Sequence, residues 1–295
     1  MASTAEMVAE QYPFFQFLLA DPEVGPLLTR AVDPLTPYSP LKFQAELMNT
    51  GWFRTRSAKR REWEILQNTD PAEAWRRRQE FGYQVKDLTT KLGFDMTNAE
   101  WDWITNYNIM EGIEPGSAEF NFYLRNHLYS TFGSGVNRLV NGSILGAANQ
   151  IHNMAKGEYF THLPENDVYG NAIDLAMGYK DENAIRYMLQ WHAQSRYPWL
   201  QEELGRGKTM RDLFSSHLQT IGDEWEVSPD SIDPEAHFMQ SIIGRNDPGS
   251  GIRPASLYET KVLARRDGNF WKTSKSKQMD ASVTNFLLSQ FGKRA

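Results

Sequence analysis

The 295-residue chain contains no cysteine. Disulfide staples and thiolate metal sites are excluded, and stability must come from packing. Long apolar runs are missing too: no stretch of about 18 residues is apolar enough to span a bilayer, so no transmembrane helix is expected. The first residues, Met1-Ala2-Ser3-Thr4-Ala5-Glu6, place no basic segment ahead of an apolar core, and no secretory leader is expected. Signatures of several enzyme classes are absent as well. There is no glycine-rich phosphate loop ending in Lys-Ser or Lys-Thr, no dinucleotide fingerprint and no His-Glu-x-x-His helix. The histidines, His127, His152, His162, His192, His217 and His237, include no pair one helical turn apart, so neither a metal nor another cofactor is expected.

What is present points to a folded helical protein. Apolar residues make up 40% of the chain and nine residues are Trp, which is too much core material for disorder throughout. The net charge of -6 is unevenly spread. Acids dominate from Gln201 to Asp247, whereas Lys261 to the end carries eight Lys/Arg against two Asp. A chain so divided can pair head to tail with neighbours, offer its basic part to nucleic acid or anionic lipid, or simply present a solvated surface.

Helix grammar recurs along the chain. Asp70-Pro71-Ala72-Glu73 sets an N-cap acceptor, a preorganised first-turn proline and a third-position glutamate in order, and predicts a helix whose stripe is Phe81, Val85, Leu88 and Leu92, stopped by Gly93. Thr97-Asn98-Ala99-Glu100 is a second capping box, ahead of Trp101, Ile104 and Met110, and Ser256-Leu257-Tyr258-Glu259 is a third. Further stripes are Phe120, Leu124 and Leu128; Val136, Val140, Ile144, Ala147, Ile151 and Met154, after a break at Gly133-Ser134-Gly135; Ile185, Met188, Leu189 and His192; and Met210, Leu213, Phe214, Leu218 and Ile221. Val283, Phe286, Leu287 and Phe291 close the chain with an amphipathic helix. Alternating β patterns are scarce. The expected fold is all-α, an elongated multi-helix array of about ten helices. The segment from Gly157 to Gly170 lacks sustained periodicity, which divides the chain into helical regions 1–157 and 171–295 joined by a linker over 158–170.

The two regions echo one another. Tyr12-Pro13-Phe14-Phe15-Gln16 parallels Tyr197-Pro198-Trp199-Leu200-Gln201. Ser39-Pro40-Leu41-Lys42 leads to Gly51-Trp52-Phe53-Arg54-Thr55 much as Ser256-Leu257-Tyr258-Glu259 leads to Asn269-Phe270-Trp271-Lys272-Thr273. A degenerate duplication with an insertion in the second copy fits this order, and so does helix-corner grammar that arose twice.

Two kinds of residue could carry chemistry. Asp223-Glu224-Trp225-Glu226 and Glu158 offer carboxylates beside aromatics, the pairing a glycosidase uses, although solvated helix ends carry such acids routinely. More distinctive are cations set between aromatic planes: Trp52, Phe53, Arg54 and Arg56; Trp75, Arg76, Arg77 and Arg78; and Phe270, Trp271, Lys272 and Lys275. That pattern suits contacts with partner subunits or with a nucleic-acid strand. Glu62, Glu64, Glu73 and Glu80 are equally well spaced to neutralise the same cations on helix surfaces. No catalytic residue is expected.

The order of Asp21-Pro22-Glu23-Val24-Gly25-Pro26-Leu27-Leu28, Asn49-Thr50-Gly51-Trp52-Phe53-Arg54-Thr55 and Thr69-Asp70-Pro71-Ala72 resembles helical virion structural proteins of tailed bacteriophages. Tyr197-Pro198-Trp199-Leu200, Gly207-Lys208-Thr209-Met210-Arg211-Asp212, Ser228-Pro229-Asp230-Ser231-Ile232-Asp233 and Arg253-Pro254-Ala255-Ser256 continue the similarity through the second half. The resemblance implies a tail-associated or internal virion protein, made in the host cytoplasm and assembled with other virion proteins. It also implies a possible role in genome delivery and leaves contact with phage DNA open. It brings no defined site. A virion-associated peptidoglycan-degrading enzyme and a nucleic-acid-binding protein acting during infection are the alternatives.

Overall fold

The computed structural model describes residues 16–33, 35, 38–133, 141–247 and 251–291. They are mostly helical, and the only sheet among them is a two-stranded hairpin in which Arg245–Asp247 pairs antiparallel with Gly251–Arg253. The all-α expectation holds, but sixteen α-helices are found among the described residues rather than about ten. The surplus is short: helices such as Gln16–Leu19, Gly51–Thr55 and Gln201–Gly205 span barely a turn and carry too few residues for a periodic stripe.

The chain divides into two compact units, Met1–Leu145 and Gly146–Ala295. In the first, helices α1 (Gln16–Leu19), α2 (Val24–Ala31), α3 (Pro40–Asn49) and α4 (Gly51–Thr55) gather around Leu18, Val24 and Trp52. Helices α5 (Ala58–Thr69), α6 (Pro71–Leu92) and α7 (Asn98–Glu111) pack on one another, and α8 (Ala118–Gly133) follows. The start of α6 is as the sequence predicts: the Asp70 carboxylate accepts the Glu73 amide at 2.9 Å, and Gly93 takes the left-handed conformation (φ 80°) that ends the helix. Glu73 does not complete the box, because its carboxylate is drawn to the guanidinium groups of Arg76 and Arg77 instead. At α7 the box is complete in both directions between Thr97 and Glu100.

The second unit holds α9 (Ser143–Gly157) from Gly146 on, α10 (Glu165–Ala176), α11 (Glu182–Arg196), α12 (Gln201–Gly205), α13 (Met210–Trp225), α14 (His237–Ile243), the hairpin, α15 (Leu257–Arg266) and α16 (Ser274–Phe291). Its tightest helix pair is α13 with α15. The expected linker is a correction. Tyr159, Phe160, Thr161 and Leu163 are buried inside this unit, the buried Tyr197 hydroxyl donates to the Phe160 carbonyl at 2.8 Å, and α10 begins at Glu165 behind Pro164. A segment whose core anchors come singly shows no period, yet it is packed rather than connecting. The division between units falls between Leu145 and Gly146 instead.

The sequence echo meets different local builds. Tyr12, with the first half of that pair, lies outside the described residues, as do Val136 and Val140. Ser39 and Ser256 both cap short helices. Thr273 accepts the Ser276 amide and so caps α16, but its counterpart Thr55 bonds back to Gly51, and Ser57 caps α5 in its place.

Candidate assembly interface

Helix α7 is divided by period. Ile104, Thr105 and Asn108 face the interior, and Trp103 and Tyr107, one turn apart, are turned outward with their rings stacked at 5.9 Å and 16°. Helix α8 buries Phe120, Leu124 and Leu128, which leaves Phe122, Tyr123 and His127 toward the surface. The two outward faces meet: the Tyr107 hydroxyl donates to that of Tyr123 at 3.3 Å, their rings lie 5.3 Å apart, and His127 sits 5.8 Å from Trp103. Glu100 joins the helices. One carboxylate oxygen closes the Thr97 capping box, and the other stands 3.3 Å from His127 Nε2. The result is a continuous patch of five rings, with Trp103 54% and Phe122 50% exposed.

Acids border the patch, and several are already engaged: Glu100 beside His127, Asp102 with Arg78 and Glu111 with Arg60. From Leu92 to Leu124 the chain has no Lys or Arg, while Asp95, Glu100, Asp102, Glu111, Glu114 and Glu119 are acidic. The hydrogen bond to Tyr123, burial and the nearby negative charges of Glu111 and Glu119 push the Tyr107 phenol above its ordinary value. Aromatic faces rimmed by carboxylates attract cations and apolar side chains together. These residues were not singled out from the sequence. The signal was an excess: α7 carries aromatics at 101, 103 and 107, and α8 is apolar around most of its circumference, more than one buried face can use.

The aromatic–basic corners read from the sequence are mostly tied inside the fold. Trp52 is buried and its indole donates to Glu64 at 3.0 Å, while Arg56 reaches the same carboxylate at 2.7 Å. Phe53 lies beneath the Arg61 guanidinium, 3.8 Å from the ring centre. Arg76 and Arg77 pair with Glu73, and Arg78 pairs with Asp102 at 2.7 Å. Phe270 is buried, Lys272 reaches Asn269, and Lys275 donates to the Asp223 carbonyl. Arg54, Trp75 and Trp271 stand in solvent. The structure thus brings Trp52 and Arg56 together on Glu64, sets Phe53 against Arg61, and does not gather the three corners into one surface.

Of the acids considered for catalysis, Glu158 and Glu224 are committed elsewhere. Glu158 is clasped by Arg186. Burial pushes the Glu224 carboxyl up, but the hydrogen bond and charge of Arg265, with the charges of Lys275 and Lys261, outweigh it and hold the group below the usual carboxylate range. Glu226, from the same segment, lines an open cleft of about 600 Å³ in the second unit together with Asp233 and Asp267, beside Trp225 and Phe238. Glu226 is occupied there as a cap, accepting the Ser274 and Lys275 amides at 2.9 Å, and it does so from a left-handed backbone (φ 55°). Among the described residues, no group of three His, Asp or Glu side chains is placed to hold a metal ion, and no helix is long and apolar enough to cross a membrane. In comparisons with known protein families, curated proteins and solved structures, the chain matches none.

Proposed function

We propose that this chain is a structural component of a tailed-bacteriophage particle, internal or tail-associated, that works by helix-mediated contacts with other particle proteins. The observation that carries the assembly part is the exposure of large aromatics. Trp75, Trp103, Trp191 and Trp271 are each more than half exposed, as are Tyr83, Tyr187 and Tyr258. Tryptophan, tyrosine and arginine dominate interface hot spots, and a monomer gains nothing from wetting so many of them. The phage setting is supported by the motif order of the sequence. Mass spectrometry of purified particles from infected cells tests it: the chain is expected in the particle at fixed stoichiometry, and its restriction to the lysate overturns the reading.

A second reading, a particle-borne enzyme acting on glycan, is favoured by the cleft, whose aromatic walls and carboxylates suit a sugar. Zymography on peptidoglycan decides for it only if a clearing band is lost in Asp233→Asn and Asp267→Asn variants that remain folded.

A further inference from the structure

The cleft of the second unit has one aromatic wall and one polar wall. Trp225 ends α13 and Phe238 stands in the first turn of α14; their rings lie 4.8 Å apart, tilted by 45°. The Trp225 indole N–H is spent on the Ala264 carbonyl at 2.9 Å, which leaves only ring surface to the cleft. Across from it, acceptors alternate with donors. Asp267 uses one carboxylate oxygen on the Asn269 amide at 2.8 Å, and Asp233 uses one on Lys156 and the Glu235 amide, so each keeps a second oxygen without a partner among the described residues. The Asn269 side chain accepts from Lys272 at 3.4 Å and keeps its own N–H groups for something else.

Charge is balanced within the chain. Lys156 stands 3.3 Å from Asp233, Lys275 lies beside Glu226, and Lys272 lines the same cleft as Asp267. Three carboxylates are matched by three ammonium groups, and an ion of either sign gains little by entering. The backbone is special here as well. Among the described residues, Phe160 (φ 51°) and Glu226 (φ 55°) are the non-glycine residues with positive φ. Glu226 lines the cleft, and Phe160 lines a hollow of about 260 Å³ that shares Ser231, Ile232 and Asp233 with it. A left-handed backbone is costly for a side chain as bulky as Phe, and positions of this kind gather at ligand sites.

We propose that this cleft binds a neutral glycan, with sugar faces on Trp225 and Phe238 and hydroxyls on Asp267, Asn269 and Asp233. A sugar ring has an apolar C–H face and a rim of hydroxyls, each of which both donates and accepts. The aromatic wall takes the first, and carboxylate acceptors set beside an amide donor take the second. The charge balance selects the neutral ligand: a sulfated or phosphorylated one meets three carboxylates, and a basic peptide finds those carboxylates already matched. The size fits too. The cleft, about 600 Å³, falls in the range of about 300–1,000 Å³ usual for ligand sites, and the hollow past Asp233 gives a further sugar unit somewhere to lie. Cleavage is not required of the site. Both Glu226 oxygens accept amides at 2.9 Å, and the Ser274 amide holds its carboxyl below the usual carboxylate range, so Glu226 is not the general acid that hydrolysis needs. This inference rests on the glycan part of the second reading above and not on its chemistry.

A printed array of neutral hexose and N-acetylhexosamine oligosaccharides, with sulfated oligosaccharides and a basic peptide as controls, tests it on the full chain. Calorimetric titration with the strongest neutral oligosaccharide follows. Binding is expected with a Kd of about 1 mM or tighter, unchanged as salt rises. Asn269→Ala should weaken it about threefold or more; the position is exposed, and the turn uses the Asn269 backbone amide rather than its side chain. Phe238→Ala should weaken it about tenfold, with circular dichroism checking that the fold is kept. No binding of any neutral oligosaccharide up to about 10 mM overturns the proposal. So does binding that Asn269→Ala leaves intact, or a preference for the sulfated oligosaccharides or the basic peptide. Binding with no clearing band on peptidoglycan supports the site and removes the enzyme reading; cleavage by a chain whose glycan binding survives Asn269→Ala overturns this site while the enzyme reading stands.

Discussion

Gly82 shows how a single hydrogen atom can be a structural requirement. It lies inside α6, where glycine is about 1 kcal/mol less favourable than alanine, so replacement by alanine would ordinarily stabilise the helix. Here the Trp101 ring lies against the backbone, its indole donating to the Gly82 carbonyl at 3.1 Å, and an added Cβ would stand 2.8 Å from ring atom Cη2. Overpacking of that kind costs about 1–3 kcal/mol, which exceeds the propensity gain. Gly82→Ala is therefore expected to lower the denaturation midpoint, and a Gly82→Ala variant as stable as the native chain would show that the ring moves freely. Neither partner advertises this contact, because Trp101 and Gly82 sit on different helices and each looks ordinary in its own window.

Glu224 carries a pH dependence from a buried site. Its carboxyl is held below its ordinary value of 4.5 in the folded state, so the folded protein binds that proton less readily than the unfolded chain. The stability it contributes is complete above about pH 4.5 and is lost as pH falls through the lower folded value. Glu224→Gln should cost about 1–2 kcal/mol at pH 7, since Arg265 and Lys261 lose their buried counter-charge while staying partly solvated. Urea titrations from pH 7 to pH 3 should show the gap between native and variant closing at the acid end; a constant gap would mean the loss is one of packing alone.

At the scale of elements, much of the helix pattern was legible because caps are local chemistry. Asp70, Thr97 and Ser256 each accept the amide three residues on, and the sequence carries the whole instruction within four residues. What was not legible depends on contacts across elements. The cations of the aromatic–basic corners were read as a working surface, and only the fold shows Arg78 closing on Asp102 or Arg56 and Trp52 sharing Glu64. The candidate face itself depends on a cap. Thr97 and Glu100 fix the first turn of α7, and Glu100 also reaches His127 on α8, so the register of the rings is set from that end. Thr97→Ala should cost about 1 kcal/mol, with Thr97→Ser restoring it, as read by thermal melting. If alanine and serine behave alike, the carboxylate of Glu100 alone holds the turn.

For the whole molecule, the tryptophans separate what holds the fold from what faces outward. Trp52 and Trp63 are buried, each 7% exposed, and their replacement by alanine should cost about 3–5 kcal/mol. Trp75, Trp103, Trp191 and Trp271 have little packing to lose, and surface changes of that kind stay within about 0.5 kcal/mol. A protein that worked alone would show little else. An assembly component should show the opposite order in a second measurement, with the outward group silent in melting curves but costly in recruitment to particles, because hot-spot aromatics spend their energy only on docking. The two groups should therefore exchange rank between thermal denaturation and particle incorporation. If the outward tryptophans are silent in both, the exposed rings are surface decoration and the assembly reading loses its main support; if Trp103 alone is costly in the second, the face of α7 and α8 is the contact that matters most.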